Sequence, residues 1–112
     1  MLYKLIFNSD NKMSSVETIM EKIIDDSRFK RANFTSNELN DLAEVYERYG
    51  SAAARLFLIG KLERIKRNSS EYFKLRLLFE LVVLLEDSRI PLSMAAYIIK
   101  RLNSILKIWR RS

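Results

Sequence analysis

The sequence predicts an all-α fold, a single-domain antiparallel bundle of about five helices, and three observations predict it. Glycine occurs only at Gly50 and Gly60 and proline only at Pro91, too few turn residues for an all-β chain with many tight hairpins. Apolar residues recur at three- and four-residue spacing in successive segments, which is the period of a helix face. Helix starts are marked by Ser14 with Glu17 and by Thr35 with Glu38, the S/T-x-x-E spacing in which two side chains satisfy reciprocal backbone donors. With 112 residues and 48% hydrophobic composition, the chain has material for one core, so residues 1–112 read as one domain.

The elements follow in order. Leu2 to Phe7 reads as a short extended arm or a helical turn, set off by Asn8 to Asn11, so that residues 1–13 stand apart from the bundle. A first helix starts at Ser14, carries Val16, Ile19, Met20, Ile23 and Ile24 on one face, and ends near Asp26 to Phe29. A second starts at Thr35, where Phe34 can pack on Leu39 as a hydrophobic staple, and turns Leu39, Leu42, Ala43 and Tyr46 inward. Gly50 suits its left-handed terminal cap, and Ser51 suits the cap of a third helix. That helix is expected to bury some of Ala52, Leu56, Ile59, Leu62 and Ile65. After the polar break Asn68, Ser69, Ser70, a fourth helix with Glu71 in its first turn runs to about Glu86. It is apolar nearly all round, as expected of a central helix. Pro91 opens a last helix with Leu92, Ala95, Ile99, Leu102, Leu106 and Trp109 inward.

Composition then narrows function. The chain has no cysteine and no histidine, which removes disulfides, thiolate chemistry, and the commonest general base and metal ligand. Glu21 and Asp25, four apart, could in principle hold a divalent cation on a helix face, but two exposed ligands are too few for a hard ion. No phosphate-binding glycine loop appears, and no serine has a base at motif spacing. The chain is therefore expected not to be an enzyme and to need no cofactor. Leu77 to Leu85, broken by Glu80, is far short of the roughly 20 apolar residues of a membrane span. No export signal follows Met1 to Phe7. A cytoplasmic protein is expected, with membrane contact unfavoured.

Charge supplies the positive indication. The net charge is +6, and it resides in residues 88–112, which hold Arg89, Lys100, Arg101, Lys107, Arg110 and Arg111 and no acid. From Arg48 to Arg76 basic residues again predominate, opposed only by Glu63 and Glu71. Such polarity fits a polyanion partner or head-to-tail packing of like subunits. Lys61, Arg64 and Arg67, each three residues from the next, form one candidate phosphate-binding stripe together with Arg55. Lys100, Arg101, Lys107 and Arg111 form a second. Several cations on a rigid helix release counterions cooperatively from a nucleic-acid backbone. Tyr46, Tyr49, Tyr72, Phe73, Phe79 and Trp109 mostly fall on inward faces, leaving Tyr97, beside Arg101, as the aromatic expected to be exposed.

The stretch SAAARLFLIGKLERI, Ser51 to Ile65, followed by an apolar helix and a basic terminal helix, resembles the C-terminal helical bundle of type I CRISPR large subunits. In several such systems this bundle is also made as a separate small subunit of the effector. NFTSNELNDL is similar to a helix opening in small subunits of type III effectors. The likeness covers about half the chain, in apolar spacing and basic character, and transfers no functional residue. It implies copies stacked along an effector, holding a target or displaced single strand by its phosphates. Two further readings stand beside it. One is a protein-interaction module of the bacteriocin-immunity kind. The other is a viral or plasmid DNA-binding protein acting as a symmetric dimer.

Overall fold

The computed structural model describes the backbone of residues 11–110 and the side chains of residues 16–107. The expected arm at Leu2 to Phe7, and the roles given to Trp109 and Arg111, lie outside the described residues. The described chain is entirely helical, without strands, and forms seven helices rather than about five: α1 Asn11–Asp25, α2 Ser27–Ala32, α3 Ser36–Tyr49, α4 Ser51–Leu62, α5 Ser70–Asp87, α6 Leu92–Lys100 and α7 Leu102–Arg110.

Two additional breaks account for the difference. α1 is already helical before Ser14, which therefore lies inside the helix and does not start it. The expected first terminus near Asp26 is also a new start. Asp26 is extended and accepts from the Arg28 backbone amide at 3.0 Å, an N-cap that turns the chain into the short α2. The last helix breaks at Arg101. This lets α6 pack on α3 while α7 packs on α1 and α2, so that Ala95, Ala96, Ile98 and Ile99 bury on one neighbour and Leu102, Ile105 and Leu106 on others. The Asn103 amide, donating to the Phe34 carbonyl at 2.8 Å, fixes the new direction.

At the start and the end of α3, expectation and structure coincide. The Thr35 hydroxyl accepts from the Glu38 amide, and the Glu38 carboxylate accepts from the Thr35 amide at 2.6 Å. Phe34 and Leu39 are both buried, as a staple requires. Gly50 has φ 95° and ψ 178°, a region essentially restricted to glycine. Its N–H donates to the Tyr46 carbonyl and its carbonyl accepts from Ala54, so one residue ends α3 and begins α4. Ser51 is not the cap. Its hydroxyl donates to Glu86 at 2.9 Å.

α4 is rotated from its expected phase. It buries Ala54 and Leu58, while Leu56 is 68% exposed and Ile59 37% exposed. Apolar residues lie all round this helix, so periodicity cannot choose a face; packing against α3 and α5 does. Leu62 and Ile65 are partly buried against the core. α5 contributes Leu75, Leu77, Leu78, Leu81, Val82 and Leu85 to the same cluster, but it is not enclosed on every side. Among the described residues no polar or charged residue is buried. None of the described helices is long and apolar enough to cross a membrane.

Candidate functional site

The seven candidate cations among the described residues are not brought together. Arg55 is tied down, its guanidinium 3.4 Å from Glu86 on α5, the same carboxylate that accepts from Ser51. Lys61 closes α4 with its ammonium 5.0 Å from the centre of the Phe57 ring. The expected stripe stops there. α4 ends at Leu62, and residues 63–69 continue as turns in which Arg64 donates to the Lys61 carbonyl and Ile65 to Leu62. These tighter i→i+3 bonds swing Ile65 onto the core. Arg64 and Arg67 consequently sit on a connection rather than on a helix face.

The C-terminal set borders other clefts. Lys100 lines a cleft between α3 and α6 that it shares with Glu44, Glu47 and Arg48, where acid balances base. Arg101 lies over the 55% exposed Tyr97 ring at 5.4 Å. Lys107 lines a separate depression with Asn33 and Asn103. Arg111 is beyond the described residues.

One groove concentrates what the others lack. Its floor is a stripe of α5 at helical spacing, Ser69, Tyr72, Phe73, Arg76, Leu77 and Glu80, and its ends are Arg67 with Asn68 and, at the far side, Arg28. The enclosed volume is about 390 Å³, within the range of small-ligand pockets, roughly 300–1,000 Å³. A shallower depression floored by Ile59, Leu62 and Ile65 adjoins it through Arg67 and Tyr72. Local chemistry places the floor. The Ser69 hydroxyl accepts from the Tyr72 amide at 3.1 Å and donates to the Lys66 carbonyl at 2.8 Å, which starts α5 and orders the connection before it. Leu75 and Leu78 turn inward, so the opposite stripe faces out. Leu77 is the buried bottom of the groove, and Phe73 remains 42% exposed.

The groove is electrically polarised. Arg28 bridges α2 and α5, contacting Asp26 at 2.7 Å and both oxygens of Glu80 at 2.9 and 3.2 Å. Hydrogen bonds to the Asp26 carboxylate, and then to Glu80, hold its proton more tightly than usual, and the same guanidinium lowers the Asp26 pKa. At this end Arg28 is engaged by both carboxylates, and Arg31 adds a second positive charge near Asp26. Along the rest of the groove no hydrogen bond or ion pair with the described residues engages the side chains of Arg67 and Arg76, nor those of Arg64 and Lys66 on the connection before α5. Charge spacing alone points to Arg67. It places Arg76 only within the basic stretch, and helical spacing assigns Phe73 to the core. The signal for both is the α5 stripe at i, i+3, i+4, i+7 and i+11, where an otherwise apolar helix turns polar.

No three described His, Cys, Asp or Glu residues are grouped to hold a metal ion. No protein-family model, no curated protein and no solved structure matches this chain.

Proposed function

We propose that this protein is a non-catalytic helical module that binds the phosphate backbone of nucleic acid, with Arg67 and Arg76 as its principal phosphate ligands and Arg64 and Lys66 extending the surface. The supporting observation is the convergence of two guanidinium groups without internal partners on one groove. Paired arginines such as Arg28 hold the fold together, whereas these two make no ion pair with a described carboxylate. Planar guanidinium groups suit bidentate phosphate contact. A binding role rather than a catalytic one accords with a chain lacking histidine and cysteine. Lys100, Arg101 and Lys107 are secondary contacts in this reading, since Lys100 and Lys107 border other clefts and Arg101 lies over the Tyr97 ring. The parent assembly offered by the resemblance of Ser51 to Ile65 is a CRISPR effector, in which the chain would serve as a small subunit. That part rests on the resemblance alone.

The test is fluorescence anisotropy with labelled single-stranded DNA, RNA and duplex across a salt series. Binding is expected to fall steeply with salt. Arg67→Glu with Arg76→Glu is expected to weaken it at least tenfold at low salt and to lower the log–log salt slope by about 1 for each phosphate no longer engaged. Lys100→Glu with Lys107→Glu is expected to have a smaller effect. Absence of binding to all three ligands at low salt, or binding indifferent to the groove arginines, overturns the proposal.

A further inference from the structure

Phosphate contact alone does not account for the middle of the groove. Between Arg67 and Arg76 lies an aromatic pair, Tyr72 and Phe73, and Phe73 keeps 42% of its surface in solvent. What distinguishes Phe73 from the other exposed apolar side chains is its place in a groove between two cations without ion-pair partners. It is well suited to a planar apolar ligand that carries negative charge on both sides.

We infer that the α5 groove holds one unstacked nucleobase on Phe73, with the flanking phosphates of a single strand on Arg67 and Arg76. This rests on the proposed function and deepens it, from a backbone contact to a contact with a base. The order of groups along the groove is cation, aromatic, cation. That is the order a single strand presents on passing a stacked base, with a phosphodiester before it and another after it. A paired duplex offers the same phosphates, but its base faces are covered by their neighbours, so Phe73 can contribute only to a strand whose base has left the stack.

The ion-paired end sets the direction. Beyond Arg76 the groove is lined by Glu80 and by Arg28, which Asp26 and Glu80 already engage, so a further phosphate finds no free cation there. The strand therefore leaves the groove there and continues on the other side, toward Arg64 and Lys66. From Ser69 to Glu80 the floor is about 16 Å long at 1.5 Å per residue, room for one base with its two flanking phosphates before the ion-paired end is reached. Stacking reads no base edge, so binding is expected to be tolerant of sequence.

The experiment compares three ligands of equal length at one salt concentration: a base-containing single strand, an abasic strand of sugar and phosphate with the same charge, and a duplex, which carries twice the phosphates. The proteins are wild type, Phe73→Ala, Phe73→Trp and Arg67→Glu/Arg76→Glu, each shown by circular dichroism to keep its helix content. Wild type is expected to bind the base-containing strand roughly 5- to 150-fold more tightly than the abasic strand, the range that corresponds to a stacked base. Phe73→Ala is expected to remove that ratio while leaving abasic binding unchanged, and Phe73→Trp to preserve it. Equal binding of abasic and base-containing strands by wild type, or a ratio that survives Phe73→Ala, overturns the stacking site. The backbone reading stands in that case as long as the arginine variant still weakens every ligand. Failure of wild type to bind any ligand overturns both.

Discussion

Lys74 and Arg76 are two residues apart on one helix, and their surroundings are opposite. Lys74 is 17% exposed, with its ammonium 3.2 Å from Glu38 on α3 and 3.6 Å from Glu71. Arg76 is exposed, lines the groove and meets no described carboxylate in an ion pair. The helical period explains the geometry, because a shift of two residues turns a side chain by about 200°. The difference shows that net charge is a poor guide to function in this chain. Lys74, Arg55 and Arg28 are cations by composition, yet each is held by an internal carboxylate. Cations without an ion pair to a described carboxylate are spread over the molecule, Lys100 and Lys107 among them, and Arg67 and Arg76 are the two of these that line the α5 groove.

The contrast between inward and outward faces is sharpest for the leucines of α4. Leu58 is fully buried and Leu56 lies in solvent two residues away. Leu58→Ala is expected to cost about 2–5 kcal/mol of stability, from forfeited transfer energy and a cavity. Leu56→Ala is expected to fall within about 0.5 kcal/mol of wild type. Urea denaturation midpoints measure both. Equal costs at the two positions would mean that α4 presents a different face to α3 and α5.

The same comparison applies to charge. Glu38 has one carboxylate oxygen buried without a hydrogen-bond partner, and its other oxygen accepts from the Thr35 amide and from Lys74. Lys74→Ala leaves this shielded carboxylate without its cation and is expected to cost about 1–3 kcal/mol. Arg76→Ala is expected to leave the denaturation midpoint within about 0.5 kcal/mol of wild type and to weaken nucleic acid binding instead. A double dissociation of stability and binding at residues 74 and 76 would establish the division. A stability loss at Arg76 as large as that at Lys74 would break it.

How much of the molecule is legible in the sequence depends on the range of the deciding interaction. The capping box at Thr35 and Glu38 spans four residues, and the glycine-only conformation at Gly50 involves one, so both can be read from the chain. The inward set of α3 can be read for a related reason, since Leu39, Leu42, Ala43 and Tyr46 share a face otherwise bordered by acid. The phase of α4 cannot, because Ala52, Leu56 and Ile59 are as apolar as Ala54 and Leu58 and only the neighbours α3 and α5 distinguish them. The break at Arg101 is equally hidden. No glycine or proline marks it, and its cause is the demand that the two halves pack on different partners. The stripe Lys61, Arg64, Arg67 illustrates a further limit, for three-residue spacing defines a face only while the helix continues, and it ends at Leu62. In the groove Arg67 can be anticipated on charge. Phe73 cannot, since an aromatic in an apolar helix reads as core until the facing elements are known.

The smallest effect concerns the paired end of the groove, where Asp26 caps α2 and also holds Arg28. Its carboxylate accepts from the guanidinium at 2.7 and 3.0 Å and from the Arg28 amide. The side-chain bond to Arg28 lowers its pKa against an opposing cost of burial. A carboxyl whose folded pKa lies below its unfolded value of about 3.9 stabilises the fold above that value, and the contribution is lost as pH falls through the folded pKa. Asp26→Asn keeps a good cap residue but removes the charge. Its stability is therefore expected to lie below wild type at neutral pH by less than about 1 kcal/mol, because Arg28 is partly solvated. The two proteins should converge as pH falls through the folded pKa of Asp26, below the ordinary carboxylate range, where the wild-type carboxyl becomes protonated. Urea midpoints at a series of pH values would show this convergence. A gap that persists unchanged into acid would assign the contribution of Asp26 to its shape as a cap, and would leave the polarity of the groove resting on Glu80.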